Sequence, residues 1–169
     1  MKFKKSSINK PKLHQVVIVG GGAGGLELAT RLGDKLGRKG KAEITLIDRT
    51  RTHVWKPLLH EIAAGSMNPD KHELEYLAQA HWHHFNFRLG EMDGLDRTKK
   101  EVYISANYDE DGEEIIPRRT IPYDTLIIAV GSTTNDFGVK GARENSIALD
   151  TQDQAERFHR RLHNALVRA

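Results

Sequence analysis

Six consecutive residues, Gly20-Gly21-Gly22-Ala23-Gly24-Gly25, have the types and spacing to do chemistry. Within them Gly20-x-Gly22-x-x-Gly25 provides three positions without a Cβ, each with its own use. The first permits a tight turn, the second lets backbone approach a pyrophosphate, and the third lets a helix pack close to a strand. The free N–H groups and positive dipole end of a helix starting there would face an anion. The spacing alone is weak evidence, and its context strengthens it. Val16-Val17-Ile18-Val19 reads as a buried parallel strand before the turn, and a helical pattern follows. Asp48 ends a second apolar strand, Ala42 to Ile47, at the distance where a carboxylate accepts hydrogen bonds from ribose hydroxyls. A glycine-rich turn beside a solvated surface acid is the plainer reading. Three matching elements in the right order favour a dinucleotide site.

Two further groups of residues could carry chemistry. Arg49 to Glu61 is a loop dense in aromatic, basic and proline residues directly after the second strand. Pro57 excludes a helix that includes Trp55, while Leu58 to Ala64 can begin one. Two readings stand side by side: a loop capped by a buried Trp55, or a cofactor clamp in which Lys56 offers its charge to a phosphate or a carbonyl. Farther on, His81-x-His83-His84 invites a metal, but no acid or thiol lies next to it in sequence to complete a site. His60-Glu61 also lacks a second histidine at metalloprotease spacing. A surface helix end is the expectation for these imidazoles, with no metal and no catalytic acid or base in this segment.

The elements that must position these residues follow in order. Leu28, Leu32 and Leu36 mark one face of the helix after the turn, with Gly33 a weak point and Gly37 and Gly40 near its end. Gly65 to Asp70 reads as a turn, and His72 to Ala80 as a helix with Leu74 and Leu77 inward. Phe85 to Gly90 forms a third strand. Glu101 to Ala106 alternates, and with the turn Asp109-Glu110-Asp111-Gly112 and then Ile115, Ile116 and Ile121 it reads as an antiparallel hairpin or meander. Leu126 to Val130 is a further buried strand ending on Gly131. Thr151 to Ala169 is a basic amphipathic helix with Thr151 as cap and Ala155, Phe158, Leu162 and Leu166 along one side.

Length and composition agree with one ordinary globular α/β domain: 169 residues, 38% hydrophobic and 29% charged, enough to bury a core. Residues 1 to 12 hold five lysines and no acid, which turns the net +3 of the whole chain into −2 for the rest. That reads as a disordered leader, with a membrane-surface contact as the lesser alternative, and gives little support to nucleic-acid binding. The chain has no cysteine, so disulfides, thiolate metal sites and thiol nucleophiles are excluded within it. The longest apolar run is too short to span a bilayer, and the basic N-terminus lacks the apolar stretch of a secretion signal. A cytoplasmic or cytoplasm-facing location is expected.

With these parts in order, GGGAGGLELA, ITLIDR, WKPLLHE, YDTLIIAVGS and NDF closely resemble the type II NADH dehydrogenases. These are single-subunit, non-pumping NADH:quinone oxidoreductases of the respiratory chain, within the two-dinucleotide-domain flavoprotein reductases. The resemblance covers nearly the whole chain after residue 14. It implies a Rossmann-like FAD-binding domain with a parallel sheet and an antiparallel β-meander, the N-terminal portion of a two-dinucleotide-domain fold. The expected divisions are a basic leader at 1–14, the FAD-binding portion at 15–150, and at 151–169 a helix leading towards an NADH-binding domain. By position, Gly20, Gly21, Gly22, Ala23, Gly24 and Gly25 would hold the FAD pyrophosphate and Asp48 the adenosine ribose. Arg49 and His53 would make further FAD contacts, Lys56 and Pro57 would lie towards the flavin, and Met92 would offer backbone to the adenine. Ala129 and Gly131 would line the cofactor from the last strand.

Two departures accompany the resemblance. Where many reductases of the wider superfamily read Ala-Thr-Gly, Val130 replaces the threonine and its hydroxyl. The family's second GxGxxG unit for NADH, the later strand whose Asp contacts the ribityl chain, and the membrane-docking C-terminal helices are not found by Ala169. The expectation is therefore the first part of an enzyme that passes electrons from NADH through FAD to a membrane quinone. Such an enzyme would be peripheral on the cytoplasmic face of the inner membrane, and this part would be inactive alone. A simple NAD(P)-dependent Rossmann dehydrogenase, in which Arg49 could suit a 2′-phosphate, and a non-catalytic nucleotide-binding module are the alternatives.

Overall fold

The computed structural model describes residues 12–68 and 74–168. The leader up to residue 11, the end of the expected turn at 69–70, and the expected helix start at His72 lie outside the described residues. Strand β1 (His14–Val19) leads into helix α1 (Ala23–Leu32), and β2 (Ala42–Asp48) runs beside β1. The residues Val16, Val17, Ile18 and Val19 are all buried, as a strand covered on both faces requires. Between α1 and β2 the helix widens over Gly33–Gly37, where the Arg38 N–H donates to the Gly33 carbonyl at 2.8 Å. A Cβ at Gly33 would stand 1.9 Å from the His83 carbonyl oxygen, and one at Gly37 2.2 Å from that of His84. These glycines let the turn at 83–84 pack directly on the helix.

The order continues with β3 (Thr52–His53), a single tight turn at Lys56–Leu58, and α2 (Leu59–Ala64). Then come β4 (Leu74–Glu75), α3 (Tyr76–Trp82) and β5 (Asn86–Leu89). Next are β6 (Met92–Asp96), β7 (Glu101–Ile104), β8 (Asn107–Tyr108), β9 (Glu114–Ile116) and β10 (Arg119–Pro122). Strand β11 (Thr125–Ile128), short α4 (Ala142–Asn145) and α5 (Gln152–Arg168) complete the chain. Four strands form one parallel sheet in the order β11-β1-β2-β5, with Ile18 beside Ile127 on one side and Leu46 on the other. The parallel sheet expected from sequence is therefore present.

Two cores lie on the two faces of this sheet. On one, Val16, Ile18, Ile44 and Leu46 pack with Leu26 and Ala29 of α1 and with Tyr76 and Ala80 of α3. On the other, Val17, Val19 and Ile47 meet Val102 and Ile104 of β7. The alternation read at 101–106 thus aims Val102 and Ile104 inward, while Tyr103 carries the Arg118 guanidinium 5.0 Å from its ring centre. The meander is a β10-β7-β6 sheet with a separate β8–β9 hairpin closed by the acidic turn. A third cluster joins Leu59, Ile62 and Ala63 of α2 to Ala155 of α5.

Several expectations need correction. Leu74 belongs to β4, which pairs with β3, and the helix begins at Tyr76. Its inner face is therefore Tyr76 and Ala80, and Leu77 is 66% exposed. Strand β11 ends at Ile128, two residues before the expected limit, and β5 begins after Phe85. Phe85 is buried and closes α3: its N–H donates to the Ala80 carbonyl at 3.2 Å while His84 takes a left-handed conformation, φ 55°. This C-terminal capping geometry explains the histidine cluster as a helix end. Trp55 is exposed, so it caps no buried loop. Thr151 does cap α5: its hydroxyl accepts from the Gln154 N–H at 3.3 Å, while the Gln154 carboxamide oxygen accepts from the Asp150 N–H at 2.7 Å.

Candidate functional site

The site forms where β1 ends and α1 starts. Gly20 sits at φ 100°, and a Cβ there would lie 2.4 Å from the Ala129 carbonyl oxygen. Gly25 faces the Gly20 carbonyl so closely that a Cβ would be 1.8 Å from its oxygen. Gly22 and Gly24 differ: a Cβ at either would meet nothing within 4 Å. The glycines are thus of two kinds, some demanded by the chain's own packing and some opening onto free space at the helix start. Gly22 is the N-cap of α1, with no side-chain cap and no acid in the first turn. The first amides of α1 therefore face that space without a competing carboxylate, a fitting cradle for a pyrophosphate.

Asp48 comes to the same place from β2. One carboxylate oxygen accepts from the Gly21 N–H at 2.6 Å; the other accepts from the Thr50 N–H at 2.8 Å and the Thr50 hydroxyl at 2.7 Å. An ionised carboxylate offers about four acceptor positions, so about one remains for a ligand hydroxyl. The Gly90 N–H donates to the Asp48 carbonyl at 2.8 Å and brings the end of β5 alongside. Met92, two residues on, places its side chain against the meander-side core.

Beneath the turn lies Tyr76, a residue that sequence reasoning missed. It is 2% exposed, its hydroxyl donates to the Gly21 carbonyl at 2.8 Å, and its ring stacks on Phe87 at 5.0 Å. Burial, and then the Asp48 charge, push this hydroxyl well above the usual tyrosine range, so it stays a proton donor. The His53 ring tilts against Tyr76 at 6.4 Å. Burial holds the His53 imidazole below its usual pKa, with the Asp48 carboxylate pulling the other way. An open groove along α1 joins Ala23 and Glu27 to His53 and Trp55.

The remaining candidates lie around the end of β11. The Lys56 ammonium donates to the Ser132 carbonyl at 2.9 Å and stands 3.7 Å from Asp150. Pro57 is the middle residue of the tight turn before α2, and Gly131 takes φ 74° with open space before it. Arg49 is exposed at the end of β2. The structure thus brings Gly20, Gly21, Asp48 and Ala129 together, and separately ties Lys56 to the loop after Gly131. His83 pairs with Asp34 at 3.0 Å. Among the described residues, no group of three or more histidine, aspartate or glutamate side chains is placed to hold a metal ion.

The parallel sheet and the glycine turn at the start of α1 define a Rossmann-like α/β protein. Residues 14–167 match the family model described as pyridine nucleotide-disulphide oxidoreductase, and the chain belongs to that family. A type II NADH:quinone oxidoreductase of Haemophilus influenzae is 49% identical over 150 residues, 89% of this chain and 34% of that protein. NdhA, a type II NADH:quinone oxidoreductase of Mycobacterium tuberculosis, is 32% identical over 127 residues, 74% of this chain and 24% of the relative. The chain spans about a third or less of the length of these relatives. Among solved structures, NDH2 from Plasmodium falciparum in complex with NADH matches with a TM-score of 0.74 at 21% identity, covering 93% of this chain and 30% of that one. The sulfide:quinone oxidoreductase of Aquifex aeolicus matches at 0.70 and 23% identity, over 91% of this chain and 32% of that one. These two likenesses speak for the fold.

Proposed function

We propose that this chain is the FAD-binding part of an NADH:quinone oxidoreductase, acting peripherally at the cytoplasmic face of a membrane. The observation that carries the reading is the open, acid-free cradle of amides at Gly22 to Gly24, set in a chain 49% identical to a type II NADH:quinone oxidoreductase. FAD, when bound, accepts a hydride equivalent from NADH and returns two electrons to quinone. The chain's own residues bind and orient it. Gly20 and Gly25 set the turn, and the amides of Gly22, Ala23 and Gly24 take the pyrophosphate. Asp48 uses its remaining acceptor position for the adenosine ribose, and the backbone near Met92 faces the adenine. His53 lines the groove along α1, and it and the exposed Arg49 would make further contacts to the cofactor. Lys56 and Pro57 would lie towards the flavin end, and Ala129 and Gly131 would line the cofactor from the end of β11. Among the described residues no helix is long and apolar enough to cross a membrane, which is compatible with surface attachment.

An absorbance scan of the purified chain mixed with FAD and then desalted tests the reading. A faint flavin band, from FAD held only weakly by this part alone, is the expected result. Absence of the band, with NAD or NADP retained instead, would favour a nicotinamide-dependent dehydrogenase and overturn the proposal. The chain alone is expected to give no NADH:quinone turnover, because the nicotinamide must be held next to the flavin, a positioning effect worth up to about 7–11 kcal/mol of barrier.

A further inference from the structure

We propose that Tyr76 is a positioning residue for the cofactor turn: its hydroxyl and ring fix the Gly21 peptide, so that the first amides of α1 stand ready for a pyrophosphate before any cofactor arrives. The proposal rests on the FAD reading above and adds to it a buried residue that acts through the Gly21 peptide.

The Gly21 peptide units are clamped from both sides. The Gly21 N–H donates to the Asp48 carboxylate at 2.6 Å, and its carbonyl accepts from the Tyr76 hydroxyl at 2.8 Å. The neighbouring Gly20 N–H donates to the Ile47 carbonyl at 2.8 Å. Up to Gly21 the turn is therefore tied to the core, while Gly22 to Gly24 are exposed. The clamp is itself anchored. Tyr76 stacks on Phe87 of β5, packs in the core with Ile18 and Leu46, and donates its backbone N–H to the Arg51 carbonyl at 3.1 Å. The contact is close enough that a Cβ at Gly21 would stand 2.4 Å from the hydroxyl oxygen. This accounts for a glycine at position 21, between Gly20 and Gly22, which the GxGxxG pattern does not require.

A tyrosine that merely satisfied its hydroxyl in the core could use any carbonyl. This one uses the carbonyl of the residue that precedes the open amides, 55 positions away in sequence. Removing the hydroxyl leaves that carbonyl without its partner and frees the turn to sample other arrangements. The apparent affinity for a ligand of the turn then falls by the fraction of molecules still in the competent arrangement.

The test compares the wild-type chain with Tyr76→Phe, which keeps the ring. Dissociation constants are measured for FAD and for ADP, which carries the pyrophosphate and ribose without the flavin. Amide NMR signals of Gly20 to Ala23 are followed in the ligand-free chain, with Val102 and Ile104 as reporters of the opposite core. The expected result is weakening by about tenfold, the size of one hydrogen bond, by the same factor for FAD and ADP. The Gly20 to Ala23 signals should shift while Val102 and Ile104 stay in place. Unchanged affinities with unmoved turn signals would overturn the proposal. So would changes spread equally to Val102 and Ile104, which would make Tyr76 a general core residue. If the wild type takes up neither FAD nor ADP, the cofactor reading fails, and the turn signals alone decide whether Tyr76 holds the turn.

Discussion

Strands β1 and β11 are neighbours in one sheet and both carry an apolar run, yet the molecule treats them differently. Every residue from Val16 to Val19 is buried, with α1 and α3 on one face and the meander on the other. Strand β11 is an outer strand of the same sheet, and Ile128 and Val130 are exposed. The contrast extends to what each strand delivers. Strand β1 ends in a turn fixed by Asp48 and Tyr76 through buried or half-buried hydrogen bonds. Strand β11 leads, past Gly131, into a loop in which Phe137 is 86% exposed. An apolar run specifies a strand, but the neighbours of that strand decide whether its end is rigid. In the cofactor reading, the pyrophosphate end is preorganised by the core, while the flavin end depends on a few tethers.

The largest effect should come from a matched pair of truncations. Ile18→Ala removes a fully buried side chain and should cost about 2–5 kcal/mol of unfolding free energy, whereas Ile128→Ala should stay within about 0.5 kcal/mol. Urea titration of both variants reads the difference. Equal losses would mean that the exposed strand is covered in solution, and the contrast would fall.

Asp48→Ala should come next. Hydrogen bonds to a charged group are worth about 1.5–3 kcal/mol, and Asp48 accepts three from its own chain. The variant should therefore lose both flavin retention and thermal stability. A loss of flavin retention at unchanged melting temperature would show that the carboxylate serves the ribose alone and that Gly21 needs no clamp from that side.

The two kinds of glycine provide a finer division. Gly25→Ala should destabilise the chain by about 1–3 kcal/mol, since its Cβ would press on the Gly20 carbonyl. Gly22→Ala meets open space and should leave the melting temperature unchanged while weakening FAD binding. If Gly22→Ala binds FAD as the wild type does, the open space is not where the pyrophosphate lies.

The rigid half of the molecule was largely legible from sequence, because its signals are local. Four β-branched residues, a glycine pattern and a terminal Asp48 gave strand, turn and acid in order. The alternation at 101–106 likewise gave the inward Val102 and Ile104. Tyr76 was not legible, for a physical reason. The helix face was assigned by apolar spacing, which favoured Leu74 and Leu77. Pairing of β4 with β3 takes Leu74 out of the helix and turns the inner face to Tyr76 and Ala80. A tyrosine whose ring is core and whose hydroxyl seeks one particular carbonyl declares itself only once that carbonyl is located. The same holds for the three donors on Asp48, one from a turn 27 residues away. The Lys56 tether joins residues 76 and more positions apart, and no local pattern encodes it.

The smallest expected effect tests that tether through pH. The Thr134 N–H, 2.8 Å from the Asp150 carboxylate, holds that carboxyl below its ordinary value, with Lys56 as a lesser cause. A depressed folded-state pKa means that the native chain binds the proton less readily than the unfolded chain does. The resulting stability is present above the unfolded value of about 3.9 and fades as pH falls through the lower folded value. Asp150→Asn should therefore flatten the acid limb of a melting-temperature profile below about pH 4 and lower the plateau slightly above it. Lys56→Met should leave most of that limb in place, because the half-exposed ion pair contributes at most about 1 kcal/mol and the Thr134 N–H remains. If Lys56→Met flattens the limb as fully as Asp150→Asn, the tether, not the backbone amide, governs the carboxylate. The flavin end would then be held by charge, where the turn at β1 is held by packing.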